Sequence, residues 1–159
     1  MTENFTHLNA RGEAHMVDVT AKEITQRSAT ARCRVAVAAE TAARLQAGDM
    51  PKGDALGVAR IAAIQATKRT PDLIPLCHPI AIHGVDVTIE VVDANTVEIL
   101  VTVRTADRTG IEMEALTAAA VGGLAMIDMV KGVDRSAHIG EIVLLEKTGG
   151  RSGTWRRAE

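Results

Sequence analysis

Val85-Asp86-Val87-Thr88-Ile89-Glu90-Val91-Val92-Asp93-Ala94-Asn95-Thr96-Val97-Glu98-Ile99-Leu100-Val101-Thr102-Val103-Arg104 decides the fold of this chain. Val85, Val87, Ile89 and Val91 alternate with Asp86, Thr88 and Glu90. Val97, Ile99, Val101 and Val103 alternate with Glu98, Leu100, Thr102 and Arg104. A period of two places alternate side chains on opposite faces of a pleated strand. Asp93-Ala94-Asn95-Thr96 between the runs is turn chemistry, so the stretch predicts a β-hairpin with one buried face.

Upstream, Cys33, Val35 and Val37 alternate with Arg32 and Arg34, a further half-buried strand. Residues 40–47 read as a short helix stopped by Gly48. The loop Gly48-Asp49-Met50-Pro51-Lys52-Gly53-Asp54 follows, and Asp54 is placed to cap a helix from 55 to about 68. Pro71, Pro75 and Pro79 argue against helix across residues 71–79. Downstream of the hairpin, a loop at 105–110 leads into a long helix from about 112 to 130, then a last strand at 139–146. The order is β-α-β-β-α-β, the split arrangement of ferredoxin-like folds. It predicts an α+β protein with a four-stranded antiparallel sheet and helices on one face. Residues 1–159 read as a single domain, with a polar N-terminal arm of about twenty residues and a flexible end at 149–153. The bare sheet face would be covered by oligomer formation.

Composition narrows the function classes. Aromatic residues are 1% of the 159, Phe5 and Trp155 with no Tyr, which argues against a platform for stacking exposed bases. A net charge of −2 gives no general attraction to nucleic acid or anionic lipid, so any phosphate site must be a local cluster of Lys and Arg. Cys33 and Cys77 are far apart and form no CxxC, which argues against a zinc site or a disulfide framework and for a reducing compartment. Residues 1–16 lack the apolar stretch of a signal peptide, and the longest apolar run, 118–127, is too short to span a bilayer. A cytoplasmic protein is expected.

Three polar islands interrupt the apolar sequence. Lys52 lies just before a helix N-terminus, where free N–H groups favour an anion, though the same Lys suits a solvated surface. Lys68-Arg69-Thr70 runs into the Pro-stiffened loop ending at Cys77-His78-Pro79. His78 could transfer protons near neutral pH or be structural, and Cys77 reads better as a small buried residue than as a nucleophile. The long helix starts with Glu112 and Glu114 and ends with Asp128 and Lys131. At about 100° per residue, Glu114, Asp128 and Lys131 share one stripe with Ala118, Val121 and Ala125. Leu116, Ala120, Gly123, Leu124 and Ile127 form the expected core stripe. Dipole compensation at one end and an i,i+3 pair at the other are the structural alternatives.

Taken in order, Gly12-Glu13-Ala14-His15-Met16-Val17-Asp18-Val19, Lys52-Gly53-Asp54, Ala59-Arg60-Ile61-Ala62, Leu73-Ile74-Pro75-Leu76-Cys77-His78-Pro79, Thr109-Gly110-Ile111-Glu112-Met113-Glu114-Ala115-Leu116-Thr117 and Asp128-Met129-Val130-Lys131 resemble the cyclic pyranopterin monophosphate synthases, the molybdenum cofactor biosynthesis protein C family. The resemblance spans roughly residues 7 to 153. It implies a lyase that converts a cyclised GTP derivative, 3′,8-cyclo-7,8-dihydro-GTP, to cyclic pyranopterin monophosphate and pyrophosphate. It matches Lys52, Asp128 and Lys131 to catalytic positions, and Leu76, Cys77, His78, Met113 and Glu114 to substrate contacts, with Glu112 a further polar site residue. Lys52, Arg69 and Lys147 would then hold the triphosphate. No metal site and no cofactor is required, and whether Mg²⁺ accompanies the triphosphate stays open. The family forms homohexamers, trimers of dimers with sites at a dimer interface. Val130 stands where relatives carry Cys, so a thiol there cannot be required. A ferredoxin-like nucleotide-binding regulatory module is the rival reading; it would explain Lys52 but not acids at both ends of one helix. A structural assembly subunit would explain the small-residue stripe but not the rigid His78 loop.

Overall fold

A computed structural model describes residues 6–158 of the chain. Its elements are β1 (Thr25–Ala36), α1 (Ala39–Ala47), α2 (Ala55–Thr67), α3 (Thr70–Leu73), β2 (Gly84–Asp93), β3 (Thr96–Asp107), α4 (Glu112–Val130), β4 (His138–Thr148) and β5 (Trp155–Arg156). They form an α+β protein around one antiparallel sheet of order β2-β3-β1-β4-β5. The hairpin register pairs Val87 with Val101 and Ile89 with Ile99, and β1 continues the same face by pairing Cys33 with Ile99 and Val35 with Val97. Val35, Val97, Ile99, Val101 and Val103 are fully buried there, under α2 and α4.

The sheet has five strands, not the expected four. Gly149 (φ 92°) and Gly150 (φ 72°) adopt the left-handed backbone that only glycine takes without strain. They turn the chain back so that Trp155 pairs with Lys147, and the expected loose end extends the sheet. β1 also begins earlier than its apolar pattern, because Ala29 and Ala31 occupy buried positions with too little side chain to register as a hydrophobic period. Within the proline-rich stretch, α3 forms one helical turn, since Pro71 falls in the first turn where no N–H is needed.

The core face of α4 differs from the expected stripe. Leu124 is 59% exposed, while Ala115, Ala118, Ala119, Met126 and Val130 have no exposure above 0%. Of the expected core positions, Gly123 is buried and Leu116 and Ile127 pack half-buried against the core. Small residues face inward because the helix sits close to its neighbours. A Cβ at Gly122 would lie 3.3 Å from the Ala63 methyl, and one at Gly123 only 2.6 Å from Cys33 Sγ. Ala118, expected on the open stripe with Glu114, is therefore inside. By length and composition α4 could cross a bilayer, contrary to the reading of a shorter apolar run, but 56% of that window is buried within this fold.

The opposite sheet face carries ion pairs and a hydroxyl pair around Leu100. Arg32 pairs with Glu141 at 2.7 Å, Arg34 with Glu98 at 2.9 Å, and Thr30 with Thr102 at 2.8 Å.

Candidate functional site

The sequence-predicted residues gather at the two ends of α4. At its N-terminal end, a cavity of about 550 Å³ is lined by Leu76, Cys77 and His78 from the proline-rich loop and by Glu112, Met113 and Glu114 from the first helical turn. The arm closes one side through Val17 and Val19. His78 Nε2 lies 2.7 Å from the Val17 carbonyl oxygen. A carbonyl only accepts, so Nε2 carries a hydrogen and donates it. That bond locks the loop to the arm.

Glu114 is 3% exposed. Burial pushes its carboxyl up to about 7, with Glu112 adding a smaller push and its own backbone N–H opposing both. Burial also raises the Cys77 thiol, and Glu114 adds to the shift, so Cys77 is not an activated nucleophile. Glu112 Oε1 pairs with Lys147 Nζ at 2.8 Å. Lys147 thus stands beside the cavity and matches the charge of Glu112.

At the other end of α4 three charges meet. Asp128 Oδ1 pairs with Lys131 Nζ at 2.7 Å, and its Oδ2 with Lys52 Nζ at 3.2 Å. Lys52 Nζ also donates to the Asp128 carbonyl oxygen at 2.7 Å. The hydrogen bonds from Lys131 and then Lys52 hold the Asp128 carboxyl below the usual carboxylate range. The loop carrying Lys52 is anchored by buried Met50 and by Asp54, whose Oδ1 accepts from Gly57 N at 2.8 Å and caps α2. All three charged side chains are open to solvent, between 44% and 59% exposed.

Arg69 joins neither cluster: it pairs with Asp72 at 3.3 Å. The clusters themselves are separate, because the fourteen residues from Glu114 to Asp128 span about 21 Å of helix. Among the described residues no group of three or more His, Cys, Asp or Glu is placed to hold a metal ion.

The cavity also recruits residues that sequence reasoning did not assign to it, among them His7, Val17, Val19 and Lys22 from the arm and Thr109 and Gly110 before α4. The arm has no period to read, but the family-like stretch 12–19 within it was the available signal. Arg108 Nε donates to the Lys22 carbonyl at 2.9 Å, which ties the arm to the end of β3.

Comparison with known proteins gives the family. The family model described as the MoaC family matches residues 16–150. A cyclic pyranopterin monophosphate synthase of Streptomyces avermitilis is 53% identical over 98% of this chain and 91% of its own length. The same-named proteins of Geobacter metallireducens and Roseiflexus castenholzii are 52% identical over 98% of both chains, and 55% identical over 94% of this chain and 96% of the relative. On the family match and on identity sustained along nearly its whole length, this chain belongs to the MoaC family.

Proposed function

We propose that this chain is a cyclic pyranopterin monophosphate synthase, which converts 3′,8-cyclo-7,8-dihydro-GTP to cyclic pyranopterin monophosphate and pyrophosphate in molybdenum cofactor biosynthesis. One observation carries the reading: the residues singled out by chemistry and family resemblance, Arg69 apart, gather in two clusters, one lining a cavity that opens to solvent and one a charge trio. The reaction opens and recloses a ring, moves protons, and joins a sugar oxygen to the α-phosphorus. Pyrophosphate leaves with the electrons of the broken P–O bond. No electron donor or acceptor is needed, and no redox motif is called upon.

Asp128 and Lys131, 2.7 Å apart, are the proton-transfer pair, and the Lys131 ammonium holds the Asp128 carboxyl below its ordinary range. Lys52 beside them offsets the charge that develops as pyrophosphate departs. Of the cations assigned to the triphosphate, Lys52 stands next to this pair, Lys147 at the cavity, and Arg69 outside both. The cavity, with Leu76, Cys77, His78, Glu112, Met113 and Glu114, takes the ring end of the substrate. Glu114, close to half-protonated at neutral pH, can donate or accept there. Mg²⁺ would enter only with the triphosphate, and turnover in the presence of a chelator tests its need.

Two clusters about 21 Å apart cannot both touch one reacting centre. A dimer with α4 of two subunits antiparallel brings the Glu114 end of one chain to the Asp128 end of the other. Ile61 (67% exposed), Leu124 (59%) and Val58 (46%) on the helix layer support such a contact. The homohexamer, a trimer of these dimers, extends it. The strand order β2-β3-β1-β4, with β5 appended, supports the ferredoxin-like arrangement, and the reaction fits a cytoplasmic location.

The deciding experiment incubates purified protein with the cyclised GTP derivative. One pyrophosphate per pterin product is expected. A nucleotide-binding regulatory module would retain the compound and release it unchanged, which would sink the reading.

A further inference from the structure

We propose that Asp134 is the positioning residue of the Lys52–Asp128–Lys131 trio, a buried carboxylate that clamps together the two chain segments delivering it. The inference rests on the reading that this trio performs the chemistry. Asp134 is 5% exposed, in a protein interior where a carboxylate persists only if its oxygens are bonded. Its Oδ2 accepts from the Ala38 backbone N–H at 2.7 Å. Its Oδ1 accepts from the Ser136 N–H at 3.0 Å and the Ser136 hydroxyl at 2.6 Å. These bonds, that from Ala38 first, keep the carboxyl ionised below its ordinary range.

The placement gives these bonds their consequence. Asp128 and Lys131 come from the end of α4, and the turn after it is closed by Val133 N and Asp134 N, each donating to the Val130 carbonyl at 2.9 Å. Lys52 comes from elsewhere, the loop that leaves α1. Ala38 sits at the N-terminus of α1 and offers no capping side chain of its own. Asp134, ninety-six residues away, accepts instead from the N–H of Ala38 itself, one of the donors left free at the start of α1. One carboxylate therefore sets the end of α4 against the start of the segment that leads to Lys52. Its bonded partners are backbone and hydroxyl donors, and it does not line the cavity at the other end of α4. It acts on the reaction only through the residues it holds.

The test compares full-length Asp134→Asn with Ile89→Val, a core change away from both clusters at a residue 4% exposed. The Asn amide would face N–H donors, so the clamp loosens. At a temperature where both variants are folded, Asp134→Asn should lose kcat by about tenfold with KM within about twofold. Its kcat–pH profile should also shift, because the distances from Lys131 and Lys52 set how far the Asp128 carboxyl is lowered, whereas a smaller active fraction leaves the profile in place. Ile89→Val should keep both. Equal behaviour of the two variants in kcat and in pH profile overturns the inference. If Asp134→Asn does not fold, Ser136→Ala removes one of the three donors, and an unchanged profile there overturns it instead. Lys131→Ala, run alongside, separates the layers: near-normal turnover in that variant means the trio itself is misassigned.

Discussion

The two ends of α4 carry the same kind of group in opposite states. Glu114 at the N-terminal end is buried, with its carboxyl raised to about 7. Asp128 at the C-terminal end is exposed between two lysines, with its carboxyl lowered. Desolvation penalises the charged form at one end, and ammonium donors reward it at the other. Helix position does not explain the contrast, since the N-terminal dipole would favour a charged Glu114. The cover supplied by the arm and the proline-rich loop outweighs the dipole. A pair of carboxylates pushed apart in this way is how one fold runs acid and base steps at one pH.

Breaking the charged end should have the largest effect. Lys131→Ala should lower kcat about a hundredfold or more, since a positioned proton carrier contributes on that scale. Its side chain is 59% exposed, so circular dichroism and melting should remain near wild type. Activity near normal would remove Lys131 from the chemistry.

The comparison sharpens if the ends act across subunits. Glu114→Ala and Lys131→Ala, each inactive alone, should complement when mixed. With random exchange about half the dimers are mixed and one of their two sites is intact, so about a quarter of wild-type activity should return. Verified exchange without recovery would show that both ends serve within one chain or at separate centres.

Breaking the buried end should show in stability. The folded carboxyl of Glu114 titrates near 7 against an ordinary value of 4.5. The native state therefore favours the protonated form. Its stabilising preference is complete below 4.5 and is lost as pH rises through about 7. The loss is on the order of 3 kcal/mol at most. Glu114→Gln should flatten this part of the stability–pH curve; identical curves for variant and wild type would mean that the Glu114 carboxyl is not desolvated.

The smallest effect tests His78. If it moves a proton in the reaction, His78→Asn should lose rate at neutral pH while substrate affinity changes by less than about tenfold, or 1.4 kcal/mol. Collapse of affinity with the bound-state rate intact would make it a binding residue only. The Val17 bond makes this a fine distinction, because His78 also holds the arm.

The hairpin and α4 were legible in advance because their signals are local: α4 spans Glu112–Val130, the range its pattern predicts. The core face of that helix was legible only in part: Gly123 is buried as expected, and Leu116 and Ile127 pack against the core. Large apolar side chains pointed also to Leu124, yet close approach to α2 and β3 selects Gly122 beside the expected Gly123. Hydrophobicity ranks a side chain's transfer from water, but it does not report how near two backbones come.

By itself the sequence determined the strand and helix periods, the three polar islands, and the order of motifs that resembles one family, since each depends on residues close along the chain. Only the tertiary structure decided that the arm roofs the cavity, that Glu114 is dry while Asp128 is wet, and that Arg69 stands apart. The physical reason is distance along the chain. The His78–Val17 bond joins residues sixty-one apart, Lys52 and Asp128 are seventy-six apart, and Ala38 and Asp134 ninety-six. Burial, and the pKa that follows from it, is set by such contacts, which no local pattern encodes.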